Sequence, residues 1–276
     1  MGESGRHEHF VSYSSDFGYI LGSLFGDGCF HFRKDRQKWT ICLDVKDKEF
    51  AEEFAKAVNR CFKALIENSA TRRKPVKPFF TCDRWHVRIQ RDGISKILLG
   101  FTFGRQNWRI SNEMFNASSE FRRGLLRGFF DAEGSIDVRR RAIIAYSTNM
   151  EGLTGIQKLL KSLGIDSIIY RVNNRGSFGK KPKFHLVISR AKNIISFAEQ
   201  IGFTIPRKKN QLSKIVLYPK SPPKPWSEEE IKILKENIGK MTPTVMAKNG
   251  IIKRHPSTIR WKAKALGLIP NGKRKI

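Results

Sequence analysis

The stretch Ile20-Leu-Gly-Ser-Leu-Phe-Gly-Asp-Gly28 decides the fold, because it returns with changes as Leu126-Arg-Gly-Phe-Phe-Asp-Ala-Glu-Gly134. Small residues stand four apart in this region, and each recurs 106 residues later: Gly18, Gly22 and Gly26, then Gly124, Gly128 and Ala132. Residues four apart lie on one face of a helix. Glycine costs a helix interior roughly 1 kcal/mol against alanine, so six small residues in register need a reason. The pattern predicts two helices that pack backbone to backbone.

Each copy of the motif ends in an acid that is followed by a glycine. The acids are Asp27 and Glu133. A carboxylate at a helix C-terminus opposes the helix dipole, so a structural role there is disfavoured unless a cation is bound. Two acids converging at a two-fold axis therefore predict a metal site, to which the backbone carbonyls of Gly26 and Ala132 could add oxygen ligands. The alternative is two glycine-rich helices that end in ordinary caps.

Composition points to a polyanionic partner. The chain has 276 residues with 53 Lys and Arg against 25 Asp and Glu, a net charge of +28. This balance favours nucleic acid, with an anionic membrane surface as the alternative. The sequence lacks an apolar run of 18 residues and a signal pattern, so we expect an intracellular protein that is neither secreted nor membrane-bound. Four cysteines lack metal-site spacing and are expected to be reduced thiols: Cys29, Cys42, Cys61 and Cys82.

The two copies stay similar downstream of the motif. Trp85-His-Val-Arg-Ile-Gln-Arg91 parallels Phe184-His-Leu-Val-Ile-Ser-Arg190, and Gly100-Phe-Thr-Phe103 parallels Gly202-Phe-Thr-Ile205. Period-two alternation predicts strands, and apolar residues at helical spacing predict a helix over 48–62. Each copy then has the element order αββαββα, with further strands expected near 64–69, 84–90, 167–172 and 184–189.

These patterns divide the chain into six segments, and the fold class is α+β. We expect a flexible arm over 1–15, a first repeat over 16–116, a second repeat over 117–218, a Pro-rich linker over 219–225, a small all-α module over 226–270 and a basic tail over 271–276. Two similar repeats in one chain predict pseudo-two-fold symmetry.

The open faces of the strands are expected to contact DNA, because a β-ribbon can enter the major groove and read base edges. The alternative is a solvated charged face. In the first repeat the candidates are Arg33, Lys38, Thr40, Arg72, Arg73, Lys74, Lys77, His86 and Arg88. In the second repeat they are Arg139, Arg140, Arg141, Arg171, Asn173, Arg175, Lys180, Lys181, Lys183 and His185.

The segment after the repeats predicts three short helices. Ser227 and Glu230 have the spacing of a capping box at the start of the first, and the others are expected over 243–249 and 256–266. The module resembles Myb/SANT-like helix-turn-helix domains, which implies that its third helix docks in a DNA groove. The residues expected to face DNA there are Ser257, Arg260, Trp261 and Lys264. The alternative is a packing or protein-interaction module.

The paired motif resembles the LAGLIDADG homing endonucleases, in their single-chain, two-repeat form. The resemblance implies two antiparallel β saddles that meet at the motif helices. It also implies site-specific cleavage of both strands of DNA, leaving short 3′ overhangs. The expected partner is double-stranded DNA with a long pseudo-palindromic or asymmetric target, bound by a monomer, with host intron RNA as a further possible partner.

The resemblance also implies the composition of the site. Two or three Mg²⁺ ions are expected at Asp27 and Glu133, with Mn²⁺ as a substitute and Ca²⁺ supporting binding without turnover. Hard oxygen ligands without a His/Cys set fit Mg²⁺. Family members place basic residues around the metals, and by position the best matches are Lys46 and Lys208. Their alternative role is simple phosphate contact. Arg207 and Lys209 stand beside Lys208 at the start of the second closing helix, and Arg105 stands at the start of the first.

Two other functions remain open. A group of bacterial DNA-binding regulators resembles LAGLIDADG proteins and carries a C-terminal helix-turn-helix, but these regulators generally lack the motif acids that this chain retains. The third possibility is an RNA maturase that helps its host intron splice.

Overall fold

In a computed structural model of the chain, the two motif segments are the ends of two helices, α1 (Ser15–Asp27) and α5 (Ser119–Glu133). A serine hydroxyl caps the start of each, since Ser14 accepts a hydrogen bond from the backbone N–H of Phe17 and Ser118 accepts one from Phe121. Such caps satisfy backbone donors that have no partner within the helix. Both helices therefore begin where their sequences provide an oxygen acceptor.

The structure describes residues 12–34, 37–63, 70–74, 82–89, 91–102, 107–172, 182–217 and 225–270. The chain forms two compact units, Met1–Pro219 and Lys220–Ile276. In the described parts of both, no helix has the length and apolar character needed to cross a bilayer.

Helices α1 and α5 run in the same direction with their backbones in contact. A Cβ atom on Gly22 would overlap the carbonyl oxygen of Leu125, and one on Gly128 would overlap that of Tyr19. Near the C-terminal ends, a Cβ on Gly26 would lie 2.5 Å from the Cβ of Ala132. The small residues are thus needed at this interface because larger side chains would separate the helices.

The glycines that follow the two helices are needed for space rather than for backbone conformation. Gly28 has φ −66° and Gly134 has φ −80°, values that any residue adopts. A Cβ at either position would overlap a carbonyl oxygen of the preceding helix, that of Leu24 or Phe130. The left-handed cap that a glycine at a helix end often forms is absent at both of these described residues.

Each helix leads directly into an antiparallel four-stranded sheet. The first sheet contains β1 (Gly28–Arg33), β2 (Lys38–Val45), β3 (Thr71–Arg73) and β4 (Arg84–Ile89), in the order β1-β2-β4-β3. The second contains β5 (Gly134–Asp137), β6 (Ala142–Ser147), β7 (Ile168–Val172) and β8 (Lys183–Ile188), in the order β5-β6-β8-β7. The α+β fold class is confirmed, while the strand expected over 64–69 lies outside the described residues.

Six further helices complete the larger described unit. They are α2 (Lys48–Phe62), α3 (Asp92–Thr102), α4 (Asn112–Asn116), α6 (Met150–Ser162), α7 (Ala191–Gln200) and α8 (Pro206–Leu217). The core between helices and sheets is rich in phenylalanine, and buried members include Phe17, Phe50, Phe121, Phe129 and Phe130. The helix predicted over 48–62 is α2.

The smaller unit has three helices, α9 (Glu228–Asn237), α10 (Pro243–Lys248) and α11 (Pro256–Ala265). The capping box at Ser227 and Glu230 is present, with both reciprocal hydrogen bonds formed. The helices pack around a small buried cluster of Leu234, Met246, Ile252, Ile259 and Ala263.

Candidate functional site

Asp27 and Glu133 stand together at the C-terminal ends of α1 and α5. The last turns of these helices touch, because a Cβ on Gly26 would lie 2.9 Å from the Cγ of Glu133. Asp27 is exposed and Glu133 is half-buried. Neither carboxylate has a hydrogen-bond or ion-pair partner among the described residues. The structure therefore brings the two predicted acids to one place and leaves both of them without a directly bonded partner among the described residues.

The surroundings favour the protonated form of both acids. The side chain of Asp27 is open to solvent on one side, but protein atoms crowd its carboxyl group, and this loss of hydration raises its pKa to about 6 despite the opposing charges of Lys208 and Arg84. Burial raises the pKa of Glu133 to about 7, and the negative charge of Asp27 adds to the effect. A raised pKa of this kind is typical of carboxylates that lack a counter-ion.

Lys208 on α8 lies directly behind the end of α5. Its side chain is only 4% exposed, and its Nζ donates hydrogen bonds to the carbonyl oxygens of Phe130 at 3.2 Å and Asp131 at 2.6 Å. These carbonyls belong to the last helical turn, and that of Phe130 also accepts a hydrogen bond from the backbone N–H of Gly134, so Lys208 adds a second donor there. Burial lowers the pKa of Lys208 to about 8, partly offset by the charge of Asp131. Its burial does not fit a simple phosphate contact.

The buried carboxylate of Asp131 anchors the chain that leads to Lys208. It accepts hydrogen bonds from the Tyr19 hydroxyl at 3.0 Å and from the backbone N–H of Thr204 at 3.0 Å. The Thr204 hydroxyl adds a third at 2.5 Å. Sequence reasoning gave Asp131 no role. The feature that could have identified it is an acidic residue within a predicted helix whose surrounding residues are small or apolar.

A second charged group lies on the Asp27 side of the site. Arg84 donates to both the carboxylate and the backbone carbonyl of Asp44. Arg73 lies 3.6 Å from the same carboxylate. The charges of Arg84 and Asp44 both act on the pKa of Asp27, in opposite directions. Sequence reasoning missed Arg84, which begins β4 and approaches the site only through the strand register.

The remaining basic candidates near the site have different surroundings. Lys46 is exposed directly after β2. Arg207 binds Asp47 with two hydrogen bonds of 2.7 Å and thereby ties α8 to the turn before α2. Lys209 is exposed, and Arg105 lies outside the described residues. The structure thus places near the two acids a buried lysine whose charge acts on both carboxylates, and an arginine–aspartate group whose charges act on Asp27.

A cavity of about 410 Å³ opens beside Glu133. It lies between the end of α1 and the residues that follow β6. Its walls are Phe25, Gly26, Trp108, Glu133, Tyr146, Ser147, Thr148, Asn149 and Lys183. Larger cavities of 580, 570 and 490 Å³ are lined by neither candidate acid. The Glu133 side chain therefore borders an open cavity on this side of the helix ends.

The donor set fits a divalent cation shared with a substrate. In the described parts of the chain, no group of three or more His, Cys, Asp and Glu side chains could hold a metal. Two carboxylates without a hydrogen-bonded partner and the nearby helix-end carbonyls supply oxygen ligands only. Mg²⁺ is commonly bound by one or two carboxylates plus water and substrate phosphates. The site therefore fits this ion only if the substrate completes the coordination.

The register of the first sheet puts a basic set on its open face. Residues directly opposite each other in an antiparallel pair share a face. On this basis the open face carries Cys29, His31, Arg33, Lys38, Thr40, Cys42, Asp44, Thr71, Arg73, Arg84, His86 and Arg88. Five of the predicted contacts stand there with exposed or half-exposed side chains: Arg33, Lys38, Thr40, Arg73 and Arg88.

Two predictions for the first sheet need correction. Arg72 lies opposite Trp85, so it points to the helix-covered side, where it pairs with Asp83 at the sheet edge. His86 is on the open face but only 7% exposed, so it is not available for a base contact. Lys74 is exposed after β3, and Lys77 lies outside the described residues.

The expectation of a basic open face is wrong for the second sheet. The face equivalent to that of the first sheet carries Ser135, Asp137, Ala142, Ile144, Tyr146, Ile168, Tyr170, Val172, Lys183, His185 and Val187. Arg171 lies opposite Phe184 and so points to the helix-covered side. Among the members of the predicted set that the structure describes, only Lys183 and His185 are on this face.

The other basic candidates of the second repeat flank the sheet or lie outside the described residues. Arg139 and Arg140 are exposed in the β5–β6 turn. Arg141 donates a hydrogen bond to the carbonyl oxygen of Ile215 in α8, so it serves the fold rather than a free surface. Four candidates lie outside the described residues: Asn173, Arg175, Lys180 and Lys181.

The third helix of the smaller unit presents the predicted polar side to solvent. Ser257, Arg260 and Trp261 are exposed, and Lys264 is half-exposed. Ile259 on the opposite side is buried. DNA contact by this helix stays a prediction.

Comparison with known proteins places the fold. Residues 120–202 match the family model described as the LAGLIDADG-like domain. The chain is 27% identical over 215 residues to an uncharacterized protein of Methanocaldococcus jannaschii, covering 75% of this chain and 73% of that protein. It is 31% identical to the RNA polymerase subunit Rpo1C of the same organism and 26% identical to a DNA polymerase of Thermococcus hydrothermalis. The matches cover 47% and 71% of this chain but only 14% and 11% of those proteins.

Solved structures of homing endonucleases are similar to this chain. I-DmoI in complex with DNA and Mn has a TM-score of 0.52 at 16% identity, covering 69% of this chain and 98% of that one. I-WcaI bound to its DNA recognition sequence has a TM-score of 0.51 at 14% identity, covering 77% and 94%. Full-length DUF199/WhiA from Thermatoga maritima has a TM-score of 0.50 at 17% identity, covering 93% and 91%. The chain therefore shares its fold with homing endonucleases, and its residues 120–202 form a LAGLIDADG-like domain.

Proposed function

We propose that this protein is a site-specific endonuclease that hydrolyses one phosphodiester in each strand of a DNA duplex and leaves short 3′ overhangs. One observation carries the proposal. Two carboxylates without a hydrogen-bonded partner, Asp27 and Glu133, stand at the touching ends of two helices in a chain of net charge +28. Burial raises the pKa of both acids, and two such carboxyl groups side by side in so basic a protein fit a site that binds cations together with phosphates.

We further propose that the two halves of the larger unit are related by a pseudo-two-fold axis between α1 and α5. The identical strand order of the two sheets and the 106-residue spacing of the motifs support this relation. Each half would then contribute one acid to the cleavage of one strand. A duplex lying across both sheets would receive both cuts at its centre.

Divalent cations would be held by Asp27 and Glu133, with oxygens from Gly26 and Ala132. When bound, two such ions activate a water and stabilise the charge of an in-line displacement. Mg²⁺ fits the donor set, with Mn²⁺ as the expected substitute and Ca²⁺ as an ion for binding without turnover. Structures of I-DmoI with DNA and Mn, Mg or Ca support the use of divalent ions by this fold.

The chain's own residues set the electrostatics of the site. Lys208 keeps a positive charge beneath the end of α5, where it favours the ionised form of both acids. Arg84 does the same for Asp27. Lys46, exposed after β2, is free to approach a phosphate near Asp27. No equivalent lysine follows β6, where the sequence continues Thr148-Asn149, so we propose that the two cuts are made by unequal sites.

The functions that the relatives' names describe are not assigned to this chain. An RNA polymerase subunit, a DNA polymerase and a translation initiation factor share segments similar to it, and these segments cover 11–18% of each relative. A segment common to proteins of such different functions carries none of those functions. The shared segment is therefore best explained by an activity of its own, as the nuclease proposal requires.

A non-catalytic DNA-binding regulator is the second candidate. It is favoured by the structural similarity to DUF199/WhiA, whose name does not describe a nuclease and which covers 93% of this chain. Residues 1–219 make up about 79% of the chain, so that match extends into the smaller unit. The two acids support the nuclease over the regulator, because a regulator that only binds DNA has no need of them.

The test is incubation of the full chain with a randomised pool of DNA duplexes, first with Mg²⁺ and then with Ca²⁺. The nuclease proposal expects a defined subset to be cut on both strands with Mg²⁺ and to be bound intact with Ca²⁺. Selective binding without cleavage in Mg²⁺ or Mn²⁺ would establish the regulator instead.

A further inference from the structure

A row of aromatic side chains crosses the open face of the second sheet. Tyr146, His185 and Tyr170 lie directly opposite one another on β6, β8 and β7. The ring of His185 is 4.5 Å from that of Tyr146 and 5.4 Å from that of Tyr170, measured between centroids. Tyr170 is 42% exposed, and Ile168 beside it is 58% exposed. These side chains give the face an accessible apolar surface.

The same positions of the first sheet carry different chemistry. Gly28 pairs with Leu43 as Gly134 pairs with Ala145, which aligns the two sheets row by row. The aromatic row then corresponds to Asp44, His86 and Thr71. The next row has Arg88 where the second sheet has Val187. Val187 is itself buried, but Ile168 opposite it on β7 is exposed. One open face therefore offers guanidinium donors, and the other offers tyrosine rings and the aliphatic side chain of Ile168.

The apolar surface is continuous with the candidate site and has cations at both ends. Tyr146 and Lys183 line the cavity that contains Glu133. At the far end of the sheet, Arg139 and Arg140 are exposed in the β5–β6 turn. A duplex groove has phosphates along its edges and bases between them. The distribution of charge on this face matches that arrangement.

Apolar side chains can recognise one feature of the major groove. Arginine pairs with guanine through two hydrogen bonds, whereas the C5-methyl group of thymine is read by apolar contact. The hydroxyl of Tyr146 is already within 3.3 Å of the Ser135 hydroxyl. Resting on the proposed function, we infer that the second sheet reads a thymine-rich half-site through methyl contacts, while the first sheet reads a half-site that contains guanine.

The inference is tested with the full chain and the target selected from the randomised pool. Thymines are replaced by deoxyuridine, which lacks only the methyl group, in one half-site at a time, and binding is measured in Ca²⁺. Each contacted methyl is expected to contribute about fourfold in affinity. Two or three replacements under the second sheet should therefore weaken binding by roughly 10- to 60-fold. The same replacements in the other half-site should change it less than about twofold.

Two variants assign the half-sites to the sheets. Tyr170→Ser should remove much of the discrimination between thymine and uracil in the sensitive half-site. Arg88→Gln should instead relax the guanine preference of the other half-site. Ile168→Thr serves as a second probe on the same edge strand, and melting temperatures identify any variant that has lost its fold.

The outcomes separate this inference from the proposed function. Two results would overturn thymine recognition by the second sheet and leave the nuclease proposal intact. The first is specific cleavage with equal effects of uracil in both half-sites. The second is a uracil-sensitive half-site whose recognition changes in Arg88→Gln but not in Tyr170→Ser. A chain that selects no DNA overturns both. Binding of a protein partner to the Tyr170 face, lost in Tyr170→Ser while the uracil effects are absent, shows that the apolar surface serves a different class of macromolecule.

Discussion

The two sheets have the same strand order, and each begins at the glycine that follows a candidate site acid, yet their open faces have little chemistry in common. Arg73, Arg84 and Arg88 stand on the first. Tyr146 and Tyr170 stand on the second. Strand order is constrained by the core, where every inward side chain must pack. Outward side chains have no such constraint, so the faces of two similar sheets can diverge freely.

The ends of the two helices differ in the same manner. Lys208 binds the carbonyls at the end of α5, while Arg84 and Asp44 stand near the end of α1. Burial raises the pKa of both acids, to about 6 for Asp27, where Lys208 and Arg84 oppose the rise, and to about 7 for Glu133, where the charge of Asp27 adds to it. A shared backbone plan thus supports two unequal chemical environments.

The largest expected effect is the loss of cleavage in acid-to-amide variants. Asp27→Asn combined with Glu133→Gln should reduce double-strand cleavage by at least about 100-fold, because both metal-ligand charges are removed while shape is kept. Specific binding should remain. Each single variant tests whether the two helix ends serve different strands, because one strand should still be nicked. Labelled strands on a denaturing gel give this result. Glu120→Gln, near the start of α5, is the matched control. A double variant that cuts at the wild-type rate contradicts the proposal.

Next in size is the effect of separating the two helices. Gly22→Leu or Gly128→Leu should lower the free energy of unfolding by more than about 3 kcal/mol, because the new side chain overlaps a backbone carbonyl and not a movable side chain. Urea denaturation measures this. Gly100→Ala in α3 is the control, since a Cβ there meets nothing within 4 Å. That change should be neutral or stabilising by about 0.5–1 kcal/mol. Equal stability of the two kinds of variant would show that the interface tolerates side chains.

The smaller unit should affect affinity without affecting the position of the cut. Truncation after residue 218 should weaken binding by roughly tenfold, if two or more phosphate contacts are lost. Arg260→Ala with Lys264→Ala should reproduce most of that loss. Footprinting and cut mapping on the selected target measure both. Unchanged affinity in the truncated protein would assign the three helices to stability or protein interaction.

The pH dependence should differ between the strands. Carboxylates bind metal in their ionised form, so nicking should increase as pH rises through the pKa of the acid that serves each strand. At limiting Mg²⁺, the midpoint of the rise in nicking rate should lie near pH 6 for the strand served by Asp27 and near pH 7 for the strand served by Glu133. Separately labelled strands provide the measurement. Coincident midpoints would show that the two acids act as one unit.

The smallest expected effect is a difference between the two open faces in the salt dependence of DNA binding. If about ten phosphates are contacted, binding should fall with a log–log slope on the order of −9, about −0.9 per phosphate. Arg88→Gln should change this slope by at most about one unit, and Tyr170→Ser should leave it unchanged. A change of slope in Tyr170→Ser would place charge where the structure has an aromatic row.

The sequence predicted the elements better than it predicted their faces. The alternation of Ile41, Leu43 and Val45 correctly identified β2, because eight residues show the period clearly. Arg171 was assigned to the wrong face, since β7 is short and its parity depends on pairing with Phe184 across the sheet. A strand's partner, and hence its register, is not encoded within the strand itself.

The candidate site was predictable where it depended on local pattern. The acids follow from the motif, and Lys208 follows from its position at the start of the closing helix. The burial of Lys208 could not be read from the sequence, because it depends on Asp131 holding Thr204 some 73 positions away. Arg84 carried no signal at all, since an arginine at the start of a strand is common.

The contact between α1 and α5 has a consequence for how such a protein can change its target. Helices normally pack with axes 8–10 Å apart, and the glycine faces bring these two closer than side chains of ordinary size would permit. In the proposed nuclease this helix pair fixes the distance between the two acids and therefore the stagger between the two cuts. Recognition lies elsewhere, on the sheets. Substitutions there can move the protein to a new sequence while the length of the overhang stays constant.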